Sequence, residues 1–222
     1  MALCAIPPKP KKKSLLSAYT ILQRACESAQ SFFDAFVQVR QARKAKGTPT
    51  DHEQDLLRAA LVFAAAGLDS MVKQLVRDTL RTVLAKEKGA QLQFSDFVQS
   101  RLRRREPLDV KYLAEALVSE RPADHLAGEL LRELTSNSVQ SKDQLLSVAA
   151  YFAIPADEIT ASPNELKRVF DVRNQIAHEM DIQFKQANRS RRSRTSDAME
   201  QFTTVVLTAA VAFYTAVEKR LS

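Results

Sequence analysis

Leu56-Leu57-Arg58-Ala59-Ala60-Leu61-Val62-Phe63-Ala64-Ala65-Ala66-Gly67-Leu68 decides the fold class. It lies inside a helical run from Gln54 to about Lys86, opened by the capping box Thr50-Asp51-His52-Glu53. Apart from Arg58 the stretch is apolar almost all round, and a helix of that kind belongs at the centre of a bundle. Asp69 then interrupts the pattern near the edge of the apolar arc. It reads either as a surface i,i+4 partner of Lys73 or as a carboxylate that pairs with Arg173. His52 falls in the cap and reads as exposed.

Working outward, residues 14–46 read as an N-terminal amphipathic helix. Leu15, Tyr19, Leu22, Cys26, Ala29, Phe33 and Phe36 step by alternating four and three. Lys46-Gly47-Thr48-Pro49 ends it. Residues 1–13 read as a disordered basic arm, because Ala5-Ile6-Pro7-Pro8-Lys9-Pro10 cannot be helical and the neighbouring lysines repel one another. On the other side, residues 50–222 read as one helical domain. Short helices are expected over Phe94–Leu102, Asp109–Val118 and Pro122–Leu134, with Arg101, Arg103, Arg104 and Arg105 as a basic cluster and His125 as a plain surface histidine. Ser141-Lys142-Asp143-Gln144 caps a helix ending at Ile154-Pro155. Asp197 with Glu200 caps a final helix whose Met199, Phe202, Val206, Ala209, Phe213, Val217 and Leu221 form a core stripe.

Four glycines and eight prolines among 222 residues favour helix over a turn-rich β fold. The reading is therefore all-α: a multi-helix up-and-down bundle with an additional N-terminal helix. A net charge of +7 attracts polyanions without choosing among them. Cys4 and Cys26 form no ligand spacing and no disulfide framework, which suggests a reducing cytoplasm. The longest uncharged run, Gln201–Val217, has 17 residues with four threonines. A membrane span needs about 20 apolar residues, so a buried helix is expected and no membrane. Gly-rich phosphate loops and Cys/His metal clusters are absent from the sequence, and no metal or cofactor is expected.

One helix late in the chain departs from a structural pattern. Ser162-Pro163-Asn164-Glu165 reads as its capping box. Leu166, Val169, Phe170, Ile176, Ala177 and Met180 fill one arc, and Arg173 falls in the middle of that arc. A guanidinium there is costly unless it is paired or reaches a polar cleft. Asn174 and His178 are neighbours on one flank, with Asp171 nearby. Arg173 and His178 lie about 140° apart on an ideal helix. To act together, the arginine must swing round or a second copy must supply one of the two.

Arg173-Asn174-Gln175-Ile176-Ala177-His178 resembles the R-x4-H motif of the HEPN superfamily, in its RNase-L-like bacterial branch. The resemblance covers roughly Thr50 to Leu221, with Glu179 standing where relatives often have glycine. It implies a small all-α domain, a homodimer that brings two motif helices face to face, and metal-independent ribonuclease activity in toxin, phage-defence or RNA-processing systems. Some members are instead non-catalytic and paired with an antitoxin or other regulatory protein.

The residues suit that chemistry. RNA is cleaved when its own 2′-hydroxyl attacks the adjacent phosphorus. Histidine supplies acid and base forms near neutral pH, and arginine grips phosphate oxygens in a fork. His178 is thus the candidate acid/base, Arg173 the transition-state clamp and Asn174 a supporting donor, with Asp69 and Asp171 behind them. Taken alone, His178 reads as a helix histidine that caps a carbonyl or meets Asp171; Arg173 on the apolar arc and the resemblance favour the catalytic reading. After the motif, residues 183–195 contain Lys185, Arg189, Arg191, Arg192 and Arg194 and no acid. They read as a loop, either a strand-binding track extended by Arg101–Arg105 or a solvated connector. The competing function is a non-catalytic helical dimer that binds nucleotide or a partner protein. A DNA-binding regulator is a third, with no recognition helix evident.

Overall fold

The structure, a computed structural model, describes residues 3–104 and 107–222, without the side chains at 104 and 107–109. Nine α-helices follow in chain order among the described residues: α1 Lys13–Ala42, α2 Asp51–Lys86, α3 Lys88–Arg104, α4 Pro107–Leu117, α5 Pro122–Ser136, α6 Lys142–Tyr151, α7 Ala156–Ile159, α8 Pro163–Glu179 and α9 Ser196–Leu221. No strand occurs among them, only an isolated antiparallel bridge between Ile182 and Arg191. The chain is all-α, a single helical bundle.

Helix α2 is its axis, packing most extensively on α1 and α9. Leu57, Leu61, Leu68, Leu75 and Leu80 are fully buried. The stripe of α1 is buried from Leu15 to Phe36 except for half-buried Tyr19, which meets Tyr214 of α9 at 6.2 Å between ring centres. The core stripe of α9 is buried from Met199 to Leu221. By length and composition α2 and α9 could each cross a membrane; here half of that window in α2 and 56% of it in α9 is buried in the bundle.

The α1–α2 crossing is close because Gly67 faces Ala25. A Cβ on Gly67 would fall well inside contact distance of the Ala25 Cβ. The helices would have to separate, so Gly67→Ala is expected to destabilise the chain by about 1–3 kcal/mol despite alanine's better helix propensity. Adding Ala25→Gly should restore most of the loss in thermal melts; no restoration would place the contact elsewhere.

Helix ends follow the sequence in part. Thr50 and Glu53 form the reciprocal capping box, and Glu53, 2% exposed, also takes Arg40 at 3.1 Å and Arg43 at 2.8 Å, joining α1 to α2. Hydrogen bonding from the Thr50 backbone N–H, followed by the two arginines, holds its carboxyl below the usual glutamate range. Ser141 caps α6 through Gln144 N–H. Ser162 makes no cap hydrogen bond; Glu165 accepts instead from Gln201 at 2.6 Å. The cap of α9 is Thr195, not Asp197.

Within the N-terminal arm, expected to be disordered, the described residues 3–13 are tied to the bundle at two points. Leu3 is buried and its N–H donates to Gln30 at 3.1 Å. Cys4 is disulfide-bonded to Cys26, with Cα atoms 6.6 Å apart. An apolar anchor and a covalent tie outweigh the disorder that the proline and lysine content suggested. The argument from cysteine usage to a reducing compartment falls with it.

Candidate active site

Helix α8 packs on α2, α6 and α9. Leu166, Val169, Phe170, Val172 and Ile176 are its buried face. Ala177 and Met180, read as part of the arc, are exposed. The helix stops at Glu179, and Met180 and Asp181 follow with φ of 51° and 58°. Two successive non-glycine residues in the left-handed region need support from outside the helix.

Arg173 is half-buried and His178 is exposed. The arginine swings round within its own chain: Nη1 lies 3.4 Å from His178 Nε2 and 3.0 Å from Asn174 Oδ1. A guanidinium only donates, so the contact is a hydrogen bond only in the tautomer that leaves Nε2 without a proton. Arg173 Nε is buried with no hydrogen-bond partner, and among the described residues no carboxylate pairs with this guanidinium. A charge left uncompensated by the fold is available to an external anion.

Asp69 does not reach Arg173. Its Oδ2 accepts from Lys73 at 2.9 Å and its Oδ1 from the Val139 N–H at 2.7 Å. The next carbonyl, that of Gln140, accepts from Asn174 Nδ2 at 3.1 Å. The segment between α5 and α6 is thereby held on one side by Asp69 and on the other holds Asn174. Asp69→Ala should cost about 1–3 kcal/mol by orphaning the N–H of buried Val139, whereas Lys73→Ala should stay within about 0.5 kcal/mol. Equal losses in thermal melts would reduce Asp69 to the surface pair. Asp171 is exposed and pairs with Lys167 at 3.3 Å, so it orients neither Asn174 nor His178.

The segment after α8 is a folded hairpin rather than a loose loop. Gln183 N–H donates to Ser190 at 2.9 Å, and Arg192 N–H to Asp181 at 2.8 Å. Asp181, fully buried, is its anchor. It accepts from Arg58 Nε at 2.9 Å and from Arg194 Nε at 2.9 Å and Nη2 at 2.5 Å, with Arg192 Nη1 at 3.8 Å. Arg192 also pairs with Glu179 at 3.1 Å, and Arg191 with Asp55 at 2.6 Å. Burial pushes the Asp55 carboxyl up, and hydrogen bonds from Arg191 and Arg58 outweigh it, leaving the group below the usual range. The bond to Asp55 raises Arg191 further.

Of the five basic residues in this segment, Arg191, Arg192 and Arg194 are therefore engaged by the fold. Lys185 and Arg189 are exposed and have no ion pair among the described residues. The other proposed track is similarly reduced. Arg101 pairs with Glu133 and lies over Phe97 at 5.0 Å and Tyr112 at 5.9 Å. Arg103 is exposed and donates to Gln99 at 3.3 Å. The Arg104 side chain and Arg105 lie outside the described residues. His125 is half-buried, its ring 5.2 Å from Tyr112.

Sequence reasoning passed over Asp181, Phe184 and the partners of Arg58. Only Arg58 carried a signal, as the lone charge in an apolar stretch. Phe184 is 59% exposed and Met180 64%. Glu179, Gln183, Phe184, Lys185 and Arg192 line a cavity of about 340 Å³ that begins one residue past the motif in sequence. Among the described residues no three His, Cys, Asp or Glu side chains form a metal-binding group. Comparison with known proteins adds no relative: no family model matches the chain, and neither does a curated protein or a solved structure.

Proposed function

We propose that this chain is a HEPN-type, metal-independent endoribonuclease that cleaves single-stranded RNA, acting as a homodimer in a toxin or phage-defence setting. One observation supports it most. A guanidinium that pairs with no carboxylate among the described residues lies 3.4 Å from an exposed imidazole on the flank of one helix.

The substrate's 2′-oxygen attacks phosphorus, the bond to the 5′-oxygen breaks, and a 2′,3′-cyclic phosphate and a 5′-hydroxyl result. His178, with Nε2 unprotonated, takes the 2′-hydroxyl proton. Arg173 donates to the non-bridging oxygens as their charge grows, and Asn174 holds the arginine from the side. A proton must also reach the departing 5′-oxygen. In a two-fold dimer the second His178, once protonated, supplies it. Lys185 and Arg189 attract the flanking phosphates.

Total RNA incubated with the purified chain and EDTA should be cut, leaving 2′,3′-cyclic phosphate ends. Loss of cutting on chelation, or 3′-hydroxyl products, would replace this reading with another reaction. The exposed Met180 and Phe184 favour a second reading, a non-catalytic dimer that binds nucleotide or a regulatory partner. Toxicity on bacterial expression, relieved by His178→Ala, separates the two.

A further inference from the structure

We propose that Phe184 is a base-stacking platform that holds an unpaired nucleotide of RNA beside His178, with Lys185 and Arg189 on the adjoining phosphates. This rests on the ribonuclease reading and names a residue and a substrate feature beyond it.

Burying a phenylalanine is worth about 1.5–3 kcal/mol, yet this ring is 59% exposed. It does not hang on a slack loop. The hairpin beneath it is fixed by the Gln183–Ser190 and Arg192–Asp181 backbone bonds and by the ion pairs of Arg191, Arg192 and Arg194. The ring stands one residue past the Gln183–Ser190 bond. Lys185 lines the same cavity as the ring, and Arg189 lies further along the hairpin; these are its two cations that pair with no carboxylate among the described residues.

The adjoining cavity begins at Glu179, the residue after His178. Glu179 and Arg192 balance each other there at 3.1 Å, which leaves Lys185 as the unpaired charge of the lining, so the cavity suits a base whose phosphate meets Lys185. An aromatic face flanked by unpaired cations is the chemistry that binds single strands, because every base has a π-face and its phosphates follow at fixed spacing. A duplex keeps its bases stacked on one another and cannot offer one.

The test uses the His178→Ala chain, so that RNA stays intact, and a short single-stranded RNA carrying 2-aminopurine. Binding should quench the probe. Adding Phe184→Ala should weaken binding on the order of 10- to 100-fold and abolish the quench, Phe184→Trp should restore both, and the melting temperature should hold. The matching duplex should bind weakly to all three. Unchanged affinity and quench in Phe184→Ala would overturn the proposal. So would equal duplex binding, or a loss of self-association in place of RNA affinity. If the parent chain cuts RNA while Phe184→Ala binds normally, only the stacking role fails. If the parent chain neither binds nor cuts RNA, the ribonuclease reading fails and takes this inference with it.

Discussion

His178→Ala should cut single-stranded RNA roughly 100- to 10,000-fold more slowly than the parent chain, the range that one positioned acid–base group contributes. Its melting temperature should not move, because the ring is exposed and its contact with Arg173 is long, at 3.4 Å. Arg173→Ala should lose on the order of 100- to 1,000-fold. The truncation also removes a buried Nε that has no partner, so stability should hold or rise slightly. Arg173→Lys keeps the charge and loses the planar fork, and should recover little. Initial rates on labelled oligonucleotides, set beside thermal melts, check all three. A wild-type rate in His178→Ala would remove the imidazole from the mechanism, leaving an ordinary surface histidine.

The pairing of these two side chains could not be settled from the sequence. Residues five apart on an ideal helix point about 140° from each other, which left the choice between a swung arginine and a second copy. The structure brings them together in one chain because the arginine is long and half-buried, and its Nη1 passes over Asn174 on the way. Asp171 was read from angular position alone, and its side chain turns to Lys167. Asp69 shows the same limit. Its i,i+4 lysine was legible, but its second acceptor bond goes to a backbone N–H 70 positions away, which no periodicity encodes.

Local signals fared best where the chain alone decides. The apolar surround of Leu56–Leu68, the stripe of α9 and the Thr50–Glu53 cap each depend on neighbours within a few residues. Ser162 and Glu165 have the same spacing as Thr50 and Glu53, yet Glu165 bonds Gln201 across to α9, a tertiary partner that outcompetes the local one. Residues 3–13 are tied to the bundle by Leu3 and Cys4, both outside the low-propensity segment that dominated the reading of the arm. The basic hairpin was misjudged for one further reason. Its compensating acids, Asp55, Glu179 and Asp181, lie outside residues 183–195, so the segment looked unbalanced only when taken alone.

Asp181 makes that balance testable. Asp181→Ala should lower stability by about 3–5 kcal/mol, since breaking a buried ion pair from one side leaves its partners uncompensated. In a chain of this length that is roughly 6–20 °C in melting temperature. Arg58 bears most of the cost. Its side chain is 3% exposed, and the other carboxylate it meets, Asp55, is partly solvated and shared with Arg191. Arg194→Ala should cost less, because Asp181 keeps Arg58 at 2.9 Å and the Arg194 backbone N–H still reaches Gln54. Limited proteolysis offers a second readout: residues 182–194 should become cleavable in Asp181→Ala before the bundle melts, because Met180 and Asp181 lose the contact that holds them in the left-handed region. If Asp181→Ala melts with the parent chain and its hairpin stays protected, the carboxylate is not what neutralises the arginines. Residues 183–195 would then be the solvated connector that their composition suggests, and support for Phe184 would have to come from elsewhere.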